Sequence, residues 1–454
     1  MRYLFCFLIF CSGLSVHAQI AKDTTIDGRP YVIHTVQSQE TLYGISREYN
    51  AELNQIVVQN PTVIQGLKVG MRILVPLQKS RKEKEKKGSR ILNAFKRKTE
   101  QLEPAKPNVV VSDTTVLKAA LLLPFYLDMN DTLEAHNETN NPTSIYPKSQ
   151  TAIEYYTGVL MALDTLGSLG INIDLKVFDV SNDSVYDAIL DSTVLDDREL
   201  IIGPLLANQF KKLANRYGLD TNRRLVSPLS YKNAVAHFSN TYQVMPLPKV
   251  QLDTLVDFIK SRYQGESFVI IGQESEASLV KHAKVALLTE PNQIRFKQYI
   301  FKSRELPNKE LLYDVLDEER NMVLVPSNNR SFVSRVLPIL GSMEDTSFTV
   351  YGLDSWNRFD NLDMDDLVNL DVHIPSVFFP YPQDVYQDFV LNFHKKNRSY
   401  PSKYSFAAYK QILHFASERF SDFFYFKNIK PTRGQLNTAF PIIKYEDYKQ
   451  HLVE

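Results

Sequence analysis

From residue 116 onward the chain repeats one alternation. A short apolar, β-branched run is followed by a stretch in which apolar side chains recur every three or four positions. Residues 116–124, VLKAALLLP, form a continuous apolar run, the pattern of a strand buried on both faces. Residues 125–150 are polar and read as a loop. Residues 151–166 place Ile153, Tyr156, Leu160 and Leu163 on one helical stripe. Strands are then expected at 173–180, 200–202 and 224–227, with helices at 184–194 and 208–217 between them. The rhythm restarts with helices at 250–263, 276–288, 308–319 and 331–340. They alternate with strands at 268–271, 298–300, 322–325 and 349–352. Strands alternating with helices argue for parallel βαβ units, and the restart argues for two α/β lobes.

A separate, smaller pattern occupies residues 30–77. Residues 31–36 alternate and are β-rich. Leu42, Ile45 and Tyr49 then fall on one helical face, and Leu53, Ile56 and Val57 repeat the spacing. Asn60-Pro61 stops the second helix, because the residue before a proline disfavours helix. Gly70 precedes a second short strand at 71–76. The unit reads β-α-α-β.

The rest of the chain is punctuation. Residues 1–19, MRYLFCFLIFCSGLSVHAQ, carry a positive start, a nine-residue apolar run at 3–11 and small residues at Val16 and Ala18. Together these predict a signal peptide over 1–18, cut near Ala18, and an exported protein. Both cysteines, Cys6 and Cys11, lie inside that segment, so the exported chain is expected to lack a thiol, a disulfide and a zinc–thiolate site. The 52 Lys+Arg balance 52 Asp+Glu over 454 residues, which gives no basic surplus for nucleic acid. The balance is uneven in space. Residues 79–106 hold eleven Lys and Arg against four Glu, a net +7. Residues 78–115 therefore read as a basic flexible linker, stretched by like charge and keeping the folded parts at either end separate.

The residues His34-x-Val36, Glu40-Thr41-Leu42, Ile45, Tyr49, Leu53, Asn60-Pro61, Leu67, Gly70 and Val75-Pro76 closely resemble the LysM domain, over nearly all of 30–77. One departure is Gln39, where the family usually has glycine. The resemblance implies binding of N-acetylglucosamine-containing glycan, here peptidoglycan, in a groove between two loops. Gln39, Glu40, Thr41 and Leu42 would form one side, and Asn60, Pro61, Ile64 and Gly66 the other. Acetamido groups need backbone partners and an apolar wall, which Leu42 and Ile64 could supply. A single such module binds weakly, so a second contact or avidity is expected.

The larger region resembles the type I periplasmic binding proteins, in particular the branched-chain amino-acid receptors. The resemblance rests on Glu154-Tyr155-Tyr156-x-Gly158, Ile202-Gly203-Pro204-Leu205, Ser227-Pro228-x-Ser230, Tyr351-Gly352-Leu353-Asp354-x-Trp356 and Tyr400-Pro401-Ser402-x-Tyr404, in the family's order. It implies a two-lobed domain over 116–454. One lobe would take 116–245 and 375–423; the other would take 246–374 and part of the C-terminus. Chain crossovers would lie near 244–248 and 372–381, with a third near the C-terminus. Ligands in such folds sit beyond the carboxyl ends of the strands. That places Phe125, Tyr126, Leu206, Ala207, Ser230 and Tyr231 on one wall of a cleft. Glu274, Ser275, Ser327, Asn328, Asp354 and Trp356 would line the other, Trp356 also being open to a packing role.

The amino-acid receptors usually carry serines after the glycine-ending strand, where this chain has Leu205-Leu206-Ala207. The Gly203-Pro204-Leu205-Leu206 run is instead similar to periplasmic activators of peptidoglycan synthases. Two functional expectations follow. The first is a non-catalytic, wall-associated scaffold whose receptor-like domain binds an envelope protein or a cell-wall fragment. The second is a wall-tethered solute-binding protein of an ABC-type transporter, holding a small-molecule ligand such as an amino acid or peptide. The sequence has no P-loop, no metal-spaced histidines and no nucleophile elbow, so neither catalysis nor a cofactor is expected. Asp360, Asp363, Asp365 and Asp366 lack the spacing of a calcium loop and read as a solvated turn.

Overall fold

The computed structural model describes residues 22–26, 29–77, 116–136, 145–235, 237–430 and 433–453. The expected signal peptide and basic linker lie outside the described residues.

The small unit is a three-stranded antiparallel sheet carrying two helices. Strands β2 (Arg29–Thr35) and β3 (Arg72–Pro76) pair in the middle of the sequence unit, with α1 (Leu42–Glu48) and α2 (Leu53–Gln59) between them. An additional strand, β1 (Lys22–Ile26), pairs with β2 and was not expected. Its sequence, KDTTI, is too polar to show an apolar face. The helices pack Ile45, Ile56 and Val57 onto Ile73 and Val75, all essentially buried.

The large region forms two lobes, each built on a seven-stranded, mainly parallel sheet. The first sheet contains β4 (Leu117–Leu123), β5 (Ile173–Asp179), β6 (Leu200–Ile202), β7 (Arg224–Ser227), β8 (Thr241–Gln243), β14 (Phe426–Asn428) and β15 (Gln435–Asn437). Its order is β14-β15-β8-β7-β6-β4-β5. The second contains β9 (Ser267–Gln273), β10 (Lys297–Phe301), β11 (Arg320–Leu324), β12 (Ser347–Tyr351), β13 (His373–Pro375), β16 (Ile442–Glu446) and β17 (Lys449–Leu452). Its order is β10-β9-β11-β12-β13-β16-β17. Central β4 is sealed on both sides, with Ala119 through Leu123 all buried, as its unbroken apolar run requires.

The chain passes between lobes three times, at 244–247, 376–382 and 438–441. The first sheet takes two strands beyond residue 423, where the sequence pattern placed the end of that lobe. β14–β15 and β16–β17 are antiparallel pairs, so the C-terminal segment closes one edge of each otherwise parallel sheet. Among the described residues no helix is long and apolar enough to cross a membrane.

Three expectations about elements are corrected. Residues 308–319 form turns, not a helix. The Asn308 side chain accepts from the Leu311 amide, and the turn closes with the Asp317 amide donating to Asn321. Asp314, Asp317, Glu318 and Glu319 crowd the end where a helix dipole disfavours negative charge. Residues 127–136 are helical rather than loop. The aspartate cluster is also structural: Asp363 caps a short helix, Met364–Asn369, by accepting from the Asp365 amide.

Candidate functional site

In the small unit, the two expected groove loops are both built around side chains that serve the fold. Glu40 accepts from the Gln37 amide at 2.7 Å and meets His34 Nε2 at 2.8 Å, while His34 Nδ1 lies 3.0 Å from the Tyr49 hydroxyl. This network ties the first loop to the sheet and to α1, so the Glu40 carboxylate is already engaged. Asn60 is 6 % exposed and fully used. Its amide donates to the carbonyls of Ile56 and Leu74, and its oxygen accepts from the Leu74 amide. Asn60 thus fastens α2 to β3, so its side chain serves the shape of the second groove loop. Thr41 caps α1 by accepting from the Gly44 amide at 3.0 Å. Gln39, Thr41 and Gly66 remain exposed, Leu42 and Pro61 are half-buried, and Ile64 lies in the single turn Pro61–Gln65.

The departure at Gln39 has a geometric consequence. Gln39 has φ 67°, in the left-handed region where a side chain costs about 1–2 kcal/mol. Glycine there removes that strain but adds roughly 0.4–1 kcal/mol of unfolded-chain entropy. Gln39→Gly should therefore stabilise the unit by about 0.5–1 kcal/mol. Slower amide hydrogen exchange across 31–76 would show it; faster exchange would mean that the Gln39 side chain supports the loop.

Between the lobes, the expected wall residues divide into two groups. Tyr231, from the loop after β7, donates its hydroxyl to Asp354 Oδ2 at 2.9 Å, across the cleft. Arg358 donates to the same oxygen at 2.8 Å and to the Tyr231 hydroxyl at 3.1 Å, with its guanidinium 4.6 Å from the Tyr231 ring centre. The Val377 amide donates to Asp354 Oδ1 at 3.0 Å. The Asp354 amide donates to Gln251, whose own amide reaches the Pro246 carbonyl. Asp354, 1 % exposed, thus joins the facing lobe to the first and second crossovers. Burial, and then the Asp354 charge, push the Tyr231 phenol well above its ordinary value, so it stays a donor. Lys403 stands nearby, over the rings of Phe378 and Tyr404, and burial and then Arg358 lower its ammonium below the usual range.

The other candidates are placed differently. Trp356 is fully buried, with its indole donating to the Ser327 carbonyl at 3.0 Å, so it is a core residue and not a cleft wall. Gly352 makes room for it, since a Cβ there would lie 2.5 Å from the indole. Ser327, 1 % exposed, spends its hydroxyl on Glu276, which also accepts from the Asn328 amide. Glu274 turns to Ser303 instead of the cleft, and Ser275 and Asn328 are exposed. Ser230 is nearly buried and hydrogen-bonds within its own loop. Phe125 and Tyr126 sit in a loop braced by Asp179 and Asn130, and their rings meet Tyr156 and Tyr146. Ala207 is buried in the first turn of its helix, and Leu206 is 62 % exposed.

Sequence reasoning missed Arg358 and Gln251. Arg358 had a local signal, standing four residues after Asp354 on one face of a turn. Gln251 had none, since its partner lies 103 positions away. A cavity of about 620 Å³ lies elsewhere, beside the second and third crossovers, between Phe258, Tyr381, Phe424 and Phe440. Among the described residues no group of three or more His, Cys, Asp or Glu could hold a metal.

The small unit is packed against both lobes: α2 and the turn Pro61–Gln65 lie against the helix Gln383–Asn397 of the first lobe, while Lys68, Gly70 and Arg72 meet the second. This corrects the expectation that a charged linker keeps the folded parts separate. Lys68 donates to the Phe359 carbonyl at 3.0 Å and reaches the Trp356 carbonyl at 3.5 Å. Burial lowers its ammonium to about 8. The Arg72 amide donates to the Tyr448 carbonyl at 3.0 Å, and Gln65 donates to Gln450 at 3.1 Å. Gly70 is in the left-handed region at φ 83°, and a Cβ there would sit 2.9 Å from Met364. Ile45, Ile56 and Ile73 belong to the same apolar cluster as Met364 and Trp356. Charge repulsion within a linker is screened over about 8–10 Å in physiological salt, so it does not oppose a contact with this much apolar burial.

Comparison with known proteins agrees with this geometry. The LysM domain family matches residues 34–76. No curated protein matches the chain. A putative branched-chain amino-acid ABC transporter protein from Rhodospirillum rubrum covers 75 % of this chain and 100 % of its own, at 11 % identity and a TM-score of 0.54. An ABC transporter substrate-binding protein from Desulfitobacterium hafniense covers 75 % and 100 %, at 14 % and 0.49. LpoA from Haemophilus influenzae covers 76 % of this chain and 59 % of its own, at 13 % and 0.45. Residues 34–76 are a LysM domain, and the larger part of the chain has the fold of the type I periplasmic binding proteins.

Proposed function

We propose that this is an exported, non-catalytic peptidoglycan-binding protein. Its receptor-like domain binds an envelope protein or a cell-wall fragment and so links the state of the wall to envelope machinery. The LysM domain supports the glycan half of this reading. The observation that carries the other half is the pairing of Asp354 with Arg358 and Tyr231. An amino-acid ligand needs a cation for its carboxylate and an acid for its ammonium. Here Arg358 and Asp354 satisfy each other. The leucines at 205 and 206 supply no hydroxyl in their place. An extracellular or periplasmic location fits both parts of the chain.

The runner-up is a wall-tethered solute-binding protein, favoured by the fold it shares with the Rhodospirillum rubrum protein. Thermal-shift measurements separate the two. Free leucine, isoleucine and short peptides at millimolar concentration should leave the melting temperature unchanged. A ligand at 100 times its Kd adds about 2.7 kcal/mol, which no thermal scan would miss, and such a shift with an amino acid would select the transport reading.

A further inference from the structure

The docked LysM domain is joined to the turn that bridges the lobes. Lys68 stands two residues beyond Gly66, the end of the second groove loop, and its ammonium grips the carbonyls of Trp356 and Phe359. Those carbonyls lie in the middle and just past the end of the turn Asp354–Arg358, whose two terminal side chains hold Tyr231 across the cleft. A second route runs from Gln65, within the groove loop itself, through Gln450 to Asn357 of the same turn. Gln65 and Lys68 are turned to the second lobe and Pro61–Gln65 lies against the helix Gln383–Asn397 of the first, while Gln39, Thr41 and Gly66 are exposed. Those three exposed residues give a glycan access to the groove while the domain stays docked. By ordering residues 60–68, it would strengthen the geometry in which Lys68 holds the turn.

We propose that glycan in the LysM groove favours the closed pairing of Tyr231 with Asp354 and Arg358, through Lys68 and Gln65. The wall anchor is then also the regulator of the receptor-like cleft. This proposal rests on the glycan reading above. Coupling of this kind is reciprocal, so closing the cleft must tighten glycan binding by the same factor that glycan favours closure. Typical couplings are about 5–150-fold.

The test is amide hydrogen exchange on the full chain, with and without a soluble N-acetylglucosamine tetramer. In the wild type the tetramer should slow exchange in 37–42 and 60–66. It should also slow the Val377 amide, which donates to Asp354, by roughly 5-fold or more. In Lys68→Met the groove loops should still be protected, while the effect at Val377 falls away. Protection of the loops with no change at Val377 in the wild type would overturn the proposal, as would an undiminished effect in Lys68→Met. If the tetramer protects nothing, the glycan reading fails and this proposal fails with it. Tyr231→Phe guards against misfolding at the docking face, because among the described residues its hydroxyl bonds only to Asp354 and Arg358 at the cleft. It should weaken tetramer binding roughly 5-fold, and unchanged affinity would count against coupling.

Discussion

Asp354→Ala should cost the receptor-like domain about 3 kcal/mol and release the two lobes from one another. The carboxylate is 1 % exposed and is the shared acceptor for the Tyr231 hydroxyl, the Arg358 guanidinium and the Val377 amide. Besides Arg358, its removal takes the acceptor from two half-buried donors, the Tyr231 hydroxyl and the Val377 amide, each loss costing about 1–3 kcal/mol. The Arg358 side chain is 39 % exposed, so water partly screens the charge left behind, which keeps the total below the sum of those parts. Asp354→Asn keeps one carbonyl oxygen for Val377 and should lose roughly half as much. Denaturant midpoints give the energies, and small-angle scattering gives the lobes: the radius of gyration should rise for Asp354→Ala. An unchanged radius with a full stability loss would show that the pairing stabilises the turn and does not hold the lobes together.

Gly158→Ala should destabilise the first lobe by about 2 kcal/mol or more, although alanine is the better helix former. Gly158 lies in the helix Gln150–Ser168, against the helix Lys403–Ala416. A Cβ at 158 would fall 2.0 Å from the Ser405 carbonyl oxygen and 2.8 Å from its Cα. The obstacle is backbone, so no rotamer change relieves it, and the helices must separate. Separation strains the Tyr155 to Gln411 bond of 2.6 Å and the Ser405 to Glu154 bond of 2.8 Å. Overpacking of this kind costs about 3 kcal/mol, against about 1 kcal/mol gained in helix propensity. Equal or higher stability for the variant, by urea unfolding, would show that the helices can part without loss.

What the sequence made legible follows from how locally each feature is encoded. Runs such as 117–123 and 200–202 state their burial in their own composition, and their strands fall where expected. The 43 residues of LysM match likewise announce themselves through a dense motif. The strands β8, β13, β14 and β15 were invisible, because each is only three residues long and, unlike 200–202, carries no unbroken apolar run. At the candidate site, Asp354 and Tyr231 were foreseen as wall residues, but not that they would bond to each other. Bonds between positions 123 apart leave no local spacing to read. Trp356 was the reverse case: a motif residue in a loop, yet sealed in the core because Gly352 leaves room for its indole. The contact between the two folded parts was the least legible of all. It depends on Lys68, Gly70 and Arg72, which in sequence look only like the approach to a strand.

The central claim is that the LysM domain holds this protein on the cell wall. Co-sedimentation of the full chain with purified peptidoglycan sacculi tests it most directly. Salt at about 0.5 M should be present, where charge attraction from the basic segment is screened beyond a few ångströms. The wild-type chain should pellet. Leu42→Glu, which places a charge on the apolar wall of the groove at a helix position that tolerates acid, should stay in the supernatant. Equal pelleting of both, or pelleting of the wild type only at low salt, would contradict the claim.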